Sequence, residues 1–390
     1  MITVDAALAA IFDLVAPTET EMVPLAEASG RVLARDVAAT RDQPPFASSA
    51  MDGYALRGTE VAPGARFRVV GEAAAGRGSA APLGPGEAIR IFTGAPVPEG
   101  ADRVIIQEDV TRDGDIITLG DSLDDKHHIR PAGGDFAAGD VMAAPRRLGP
   151  AELALLASMN VATLPCHRRP EVALVATGDE LVMPGETPGP DQIIASNAIG
   201  LKALVESAGA VARILPIARD TVASLETVFD LAAGADLIVT IGGASVGDHD
   251  LVRPVAASRG MAPAFYKVAM RPGKPLMAGK LGEAAMIGLP GNPVSSIVCG
   301  HIFLLPALRK MLGLGAHPAP RATAPLAAAL PANGPREHYM RATLARGTIT
   351  AADRQDSSLL SVLSGANALL IRPVGDGARA AGELVEYVPL

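Results

Sequence analysis

The first fifteen positions carry apolar residues at helical spacing. Leu8, Ile11, Phe12 and Val15 share one face, Thr3 stands where an N-cap belongs, and Pro17 closes the run. The pattern predicts a second short helix over 25–34, with Leu25, Ala28 and Val32 on one side, and a third over 150–160 that opens with Pro150 and packs beside the first two. Between them the texture changes. From 39 to 142, Gly and Pro are frequent and apolar runs are short, at 67–70, 88–92, 103–107 and 116–119. This predicts an all-β block, with a hairpin over 104–119 turning at Asp113-Gly114, a dipeptide that tolerates positive φ. The β block is then an insertion, 39–142, into a helical, elongated segment made of 1–38 and 143–169.

From Glu171 the period changes again. Continuous apolar runs at 172–176, 211–216 and 237–241 alternate with amphipathic stretches at 195–208 and 222–233. Runs without alternation are what strands buried on both faces require, so 170–316 reads as an α/β domain with a parallel sheet covered by helices. Residues 312–335 are rich in Pro, Ala and Gly and read as a linker. Short strands at 339–344, 368–371 and 384–388 make 317–390 a small C-terminal β domain. The fold class is multi-domain α/β plus β.

Composition narrows the function classes. In 390 residues, hydrophobic residues are 49%, aromatics 3% and Trp absent, so the cores rest on Ala, Val, Leu and Ile. The net charge of −8 argues against a nucleic-acid binder and means that an anionic ligand must be held by local donors. Cys166 and Cys299 are far apart, which argues against a thiolate metal site or a disulfide scaffold. The N-terminus lacks the basic region of a signal peptide, and the apolar run at 294–308 falls short of a membrane span. A cytoplasmic protein with no membrane partner is the expectation.

The segments that can carry chemistry lie at predicted strand ends, where ligands of such sheets gather. Thr177-Gly178-Asp179-Glu180 follows one strand. Gly242-Gly243-Ala244-Ser245-Val246-Gly247-Asp248-His249-Asp250 follows another. Small residues admit a ligand to the backbone, hydroxyls and amides contact phosphate, and carboxylates suit Mg²⁺. Turn propensity explains each loop equally well when taken alone. The stretch from Lys267 through Arg271 to Lys274 puts three cations within eight residues of an acidic chain. Pro290, Gly291, Asn292 and Pro293 precede an apolar helix, with Ser295 as its expected cap and free amides facing an anion. In the β block, turn loops present Asp52, Thr93 and Asp135, and nothing local assigns them to one site. Gly243-Ala-Ser245-Val-Gly247 also fits the nucleophile-elbow pattern, but a helix does not directly follow the serine. His127 and His128 adjoin, so on a strand they would face opposite sides, which disfavours a joint metal role.

Several motifs in one order carry a resemblance: ProProPheAlaSerSerAlaMetAspGlyTyrAla at 44–55, ArgIlePheThrGlyAlaPro at 90–96, AlaThrGlyAspGluLeu at 176–181, the 242–250 loop, MetArgProGlyLysPro at 270–275 and GlyLeuProGlyAsnProValSer at 288–295. Together they resemble the molybdopterin molybdenumtransferase (molybdenum insertase) family, related to the C-terminal part of gephyrin. The resemblance implies a homodimer whose active site lies between the α/β domain of one subunit and the β insertion of the other. The central domain would be of the molybdopterin-binding type. It implies that Asp52, Thr93, Asp135, Glu180, Asp220, Asp250, Lys267 and Lys274 are catalytic. Thr177, Gly178, Asp179, Gly242, Gly243, Ser245, Asp248, Arg271, Pro290, Pro293, Arg341 and Ser361 would bind substrate, and Glu180 with Asp250 would hold Mg²⁺. Arg271 stands where many relatives have Lys, and a guanidinium binds an oxyanion as a fork, not as a point charge. The implied reaction joins molybdate to the dithiolene of adenylylated molybdopterin and releases AMP. The alternatives are a molybdopterin adenylyltransferase-type activity, which the extra β domains disfavour, a non-enzymatic scaffold, and a serine hydrolase through Ser245.

Overall fold

The computed structural model describes residues 1–79, 82–243 and 251–390. The first helix, Val4–Leu14, is capped by Thr3, whose hydroxyl accepts from the amide of Ala6 at 3.2 Å. Its buried residues, Val4, Ala7, Leu8 and Ile11, join the main core, among Val172, Leu174, Val239 and Phe303. The helix therefore packs on the α/β domain and not beside the 150–160 helix.

That later helix, Pro150–Ser158, belongs to a separate core with Val23, Leu33, Leu164 and Cys166. The predicted helix at 25–34 is a single 3-10 turn, Leu25–Glu27, followed by the strand Val32–Leu33. The flanking segment is mainly a four-stranded sheet in the order Thr20–Pro24, Thr163–His167, Val32–Leu33 and Arg146–Arg147. The apolar spacing of 25–33 fits a helix, but pairing of Leu33 with Cys166 and Arg146 across the sheet decides otherwise.

The β insertion holds a six-stranded sheet with an apolar cluster on each face. The hairpin is narrower than expected: Val110–Asp113 pairs with Ile116–Leu119 across Gly114 and Asp115, while Arg103–Ile106 pairs with Gly53–Leu56.

In the α/β domain the strand order is Val211–Ile214, Glu171–Ala176, Leu237–Ile241, Ala284–Leu289, Met277–Leu281, Ala262–Phe265. The first four run parallel. The last two, which the sequence pattern does not mark as strands, are antiparallel to their neighbours, so the sheet is mixed. One face is covered by Val4–Leu14, Asn197–Ala208 and the helical run from Pro293 to Met311. The other face is covered by Val222–Leu231 and Val252–Ser258. The run Pro293–Met311 is long and apolar enough to cross a bilayer, contrary to the expectation, yet 72% of its most apolar stretch is buried inside the protein. It also turns through a π-type segment, Gly300–Leu304.

The C-terminal sheet runs Met270–Arg271, Glu337–Ala345, Ala368–Arg372, Leu384–Pro389, Ala322–Pro325. The presumed linker thus contributes the edge strand Ala322–Pro325, and Met270–Arg271 crosses over from the α/β domain to make the other edge.

Candidate active site

A cavity of about 710 Å³ opens at the carboxyl ends of Glu171–Ala176 and Leu237–Ile241. Its floor is made by the two strand-end turns. Thr177 is buried, its amide donates to the carbonyl of Ile241 at 3.1 Å, and the Gly178 amide donates to that of Ala218 at 3.1 Å. Gly242 has φ +94°, and a Cβ there would lie 2.9 Å from Thr177 Oγ1 and 3.0 Å from its carbonyl oxygen. Only glycine lets the two turns close on each other. Thr177, Gly178, Gly242 and Gly243 all line the cavity.

Glu180 and Asp220 face the same space. Asp179 does not line it; its carboxylate instead accepts from the Asp220 amide at 3.1 Å, tying the two acidic turns together. An apolar wall comes from Ile193 and Ile194, which are 58% and 38% exposed at the cavity mouth. Asn197, absent from the sequence candidates, lines the cavity and is fixed by donation from Nδ2 to the Gly291 carbonyl at 2.7 Å.

Pro290 and Pro293 close a third side. The helix cap is Asn292, not Ser295, which is buried one turn inside Pro293–Cys299. The helix start is not an open anion site. Pro293 has no N–H, and the amide of Val294 donates to the Ser357 carbonyl at 3.0 Å. Asn292 Nδ2 also donates to Ser357 Oγ at 3.1 Å, which docks the C-terminal domain here. In consequence Ser358 lines the cavity, whereas Ser361 sits exposed in the short helix Leu360–Ser364 and does not.

The basic segment adjoins this cavity through Pro275, while Lys267, Arg271, Lys274 and Arg341 are not among its lining residues. Arg271 pairs in register with His338 across the strand edge, the Val268 amide donates to the Lys274 carbonyl at 3.2 Å, and the next residue, Pro275, is a cavity wall. Arg271 and Lys274 are exposed, and Lys267 is half-buried with its carbonyl accepting from Ile2. Beneath Arg271 lies a fully buried guanidinium, Arg341. Its Nη2 donates to the Asp356 carbonyl at 3.0 Å, and its Nε and Nη1 are buried with no hydrogen-bond partner among the described residues. Burial, and then the charge of Arg271, pull its pKa below the usual range. His338 is pushed down to about 4 by burial and by Arg271, Arg341, Arg336 and Arg372, so it stays neutral near pH 7. Asp356 offsets part of this positive charge, but the unpaired buried donors are costly and suit an oxyanion. Gln355, whose side chain brackets the Arg341 backbone through its amide and carbonyl, and His338 carry no sequence signal; side-chain bonding brings the first here and strand pairing the second.

Asp52 and Thr93 meet in the β insertion. One Asp52 oxygen accepts from the Thr93 amide and hydroxyl, each at 2.7 Å, and these bonds hold the carboxyl below the usual range. Asp135 is exposed in a separate turn, its amide bonded to the Gln43 carbonyl at 2.9 Å. None of the three lines the cavity. His128 has φ +53° and bonds Asp124, so the pair is not on a strand, and no cluster of three metal-binding side chains occurs among the described residues. Ser245, Asp248 and Asp250 lie outside the described residues.

Three family models tile the chain: MoeA N-terminal region (domain I and II) over 2–160, Probable molybdopterin binding domain over 173–310, and MoeA C-terminal region (domain IV) over 323–390. The molybdopterin molybdenumtransferase 2 of Mycobacterium tuberculosis is 38% identical over 366 residues, 90% of each chain. The chain belongs to the molybdopterin molybdenumtransferase family. The molybdopterin molybdenumtransferase of Haemophilus influenzae is likewise 38% identical, over 80% of this chain and 78% of its own.

As a molybdopterin molybdenumtransferase family member, the chain is a transferase of molybdenum cofactor biosynthesis. A solved molybdopterin biosynthesis MoeA protein from Pyrococcus horikoshii matches the whole fold, with a TM-score of 0.85, 27% identity, and 100% of this chain and 99% of its own covered. The N-terminal and C-terminal matches account for the two β domains that surround the cavity-bearing core, and neither the hydrolase nor the adenylyltransferase alternative gains support from them.

Proposed function

We propose that this protein inserts molybdate into adenylylated molybdopterin and releases AMP, acting in the cytoplasm as a homodimer. The observation that carries the reading is the convergence of two unlike features on one cavity. The strand-end turns with Glu180 and Asp220 form its floor, and the Arg271–Lys274 loop enters its wall through Pro275.

The division of labour follows from chemistry. Molybdate, a tetrahedral dianion, would be the substrate of the cationic side, where Lys274 and Arg271 are solvent-exposed and Arg341 carries two unpaired donors. The nucleotide-bearing pterin occupies the floor. Ile193 and Ile194 cover its flat surface, and the Thr177–Gly178 turn takes its polar edge. Holding both reactants in one pocket raises the effective concentration of the oxyanion at the dithiolene. Two cavity carboxylates fit a hard cation that usually takes one or two carboxylates plus substrate phosphate. Glu180, with Asp250 as the resemblance implies, would hold Mg²⁺, which neutralises phosphate charge when bound. Asp52 and Thr93 do not reach the cavity of their own chain, which favours their delivery by a second copy.

Titrating molybdate into the protein loaded with adenylylated molybdopterin, while following AMP and cofactor, tests the reading. Lys274→Ala is expected to weaken molybdate binding at least ~10-fold with the fold unchanged, since a charge-assisted contact is worth about 1.5–3 kcal/mol. Undiminished molybdate binding by that variant refutes the assignment.

A further inference from the structure

We infer that Arg219 is the positioning residue of the cavity, a clamp that holds the acidic turn and the apolar wall in place. The inference rests on the proposed nucleotide-bearing substrate and adds a residue that touches none of the reacting atoms.

Three carbonyls of one turn, those of Gly178, Asp179 and Leu181, converge on Arg219 Nη1 at 3.3, 3.1 and 3.0 Å. Carbonyls pointing together repel one another, so a turn of this shape needs a cation at its centre. The clamp is itself anchored: the Arg219 amide donates to Ser224 Oγ at 2.9 Å, in the first turn of Val222–Leu231. The adjacent Asp220 amide holds Asp179 from the other side. What the turn carries explains the consequence. Glu180 lines the cavity, the Glu180 carbonyl accepts from the Ile193 amide at 2.8 Å, and Leu181 pairs with Ile193. Releasing the three carbonyls therefore shifts the carboxylate and the Ile193–Ile194 wall together, although Arg219 is absent from the cavity lining.

A single nitrogen serving three acceptors gives a specific test. Nη1 has two hydrogens to share, whereas a lysine ammonium has three. Arg219→Lys is therefore expected to keep the clamp and Arg219→Gln to lose it. Hydrogen–deuterium exchange of the ligand-free protein should show amides of 177–182 and 193–195 exchanging about tenfold faster in Arg219→Gln, a loss of roughly 1.4 kcal/mol of local protection, and near wild-type in Arg219→Lys. AMP affinity, by calorimetry, should fall by a similar factor in Arg219→Gln and recover in Arg219→Lys, with the global melting midpoint unchanged. Wild-type exchange in Arg219→Gln, or equal loosening in both variants, overturns the clamp. Faster exchange with unaltered AMP affinity overturns instead the assignment of this cavity to the nucleotide.

Discussion

At Arg341, function and stability pull in opposite directions. A guanidinium with no exposed surface, two unpaired nitrogens and a second cation nearby, only partly offset by Asp356, is costly for the folded chain, and a bound anion would relieve that cost. Arg341→Met keeps the volume and removes the orphan donors. It is expected to leave the stability of the ligand-free protein unchanged or raise it by up to ~1–3 kcal/mol, with the melting midpoint unchanged or higher, while lowering molybdate affinity at least ~10-fold. A parallel loss of stability in thermal melts would show that Arg341 is a packing residue only. His338 complements the argument, since its neutrality keeps a further charge from crowding the same pocket.

Elements matter here through their junctions. The 270–275 loop lies over the helix Pro293–Cys299 so closely that a Cβ on Gly273, at φ +113°, would come 2.5 Å from Cys299 Sγ. Gly273→Ala must both strain the backbone and displace a fully buried thiol, at a cost of roughly 2–4 kcal/mol. Chemical denaturation should register that loss, and Cys299→Ala, which clears the space, should recover part of it. If the double variant is no more stable than Gly273→Ala alone, the sulfur is not the obstacle. The strand edge formed by Met270–Arg271 has the same logic: it fixes the cationic loop to the C-terminal domain, so this domain orients a site whose floor lies elsewhere.

At the scale of the whole molecule, two predictions follow from burial and from assembly. His301 and His338 are both pushed to about 4 by burial, below the value of 6.5 they take when exposed. As pH falls from 6.5 toward 4 the unfolded chain gains protons that the native chain refuses, so stability declines through this window. Melting midpoints should drop between pH 6.5 and 4.5, and His301→Gln should flatten the decline; an unaltered slope would place the acid sensitivity elsewhere. If Asp52 acts in the partner's cavity, dimers re-formed from an equal mixture of Asp52→Ala and Lys274→Ala chains should regain about a quarter of wild-type sites. No recovery on mixing would confine each site to one chain.

Periodicity alone determined the strands Glu171–Ala176 and Leu237–Ile241, the capped first helix and the glycine turns at Gly178 and Gly242, because each depends on local spacing or on φ angles that a single residue dictates. Motif order determined the family. Tertiary pairing decided what local spacing leaves open. Residues 25–33 became a turn and a strand because Leu33 found partners in the sheet, and the first helix left its neighbours because its apolar face fits the larger core. Arg219, Gln355 and His338 acquired roles only when distant segments met. Their side chains are ordinary in sequence; Arg219 meets carbonyls 38 to 41 positions away, Gln355 brackets a residue 14 positions away, and His338 faces Arg271 across a strand edge.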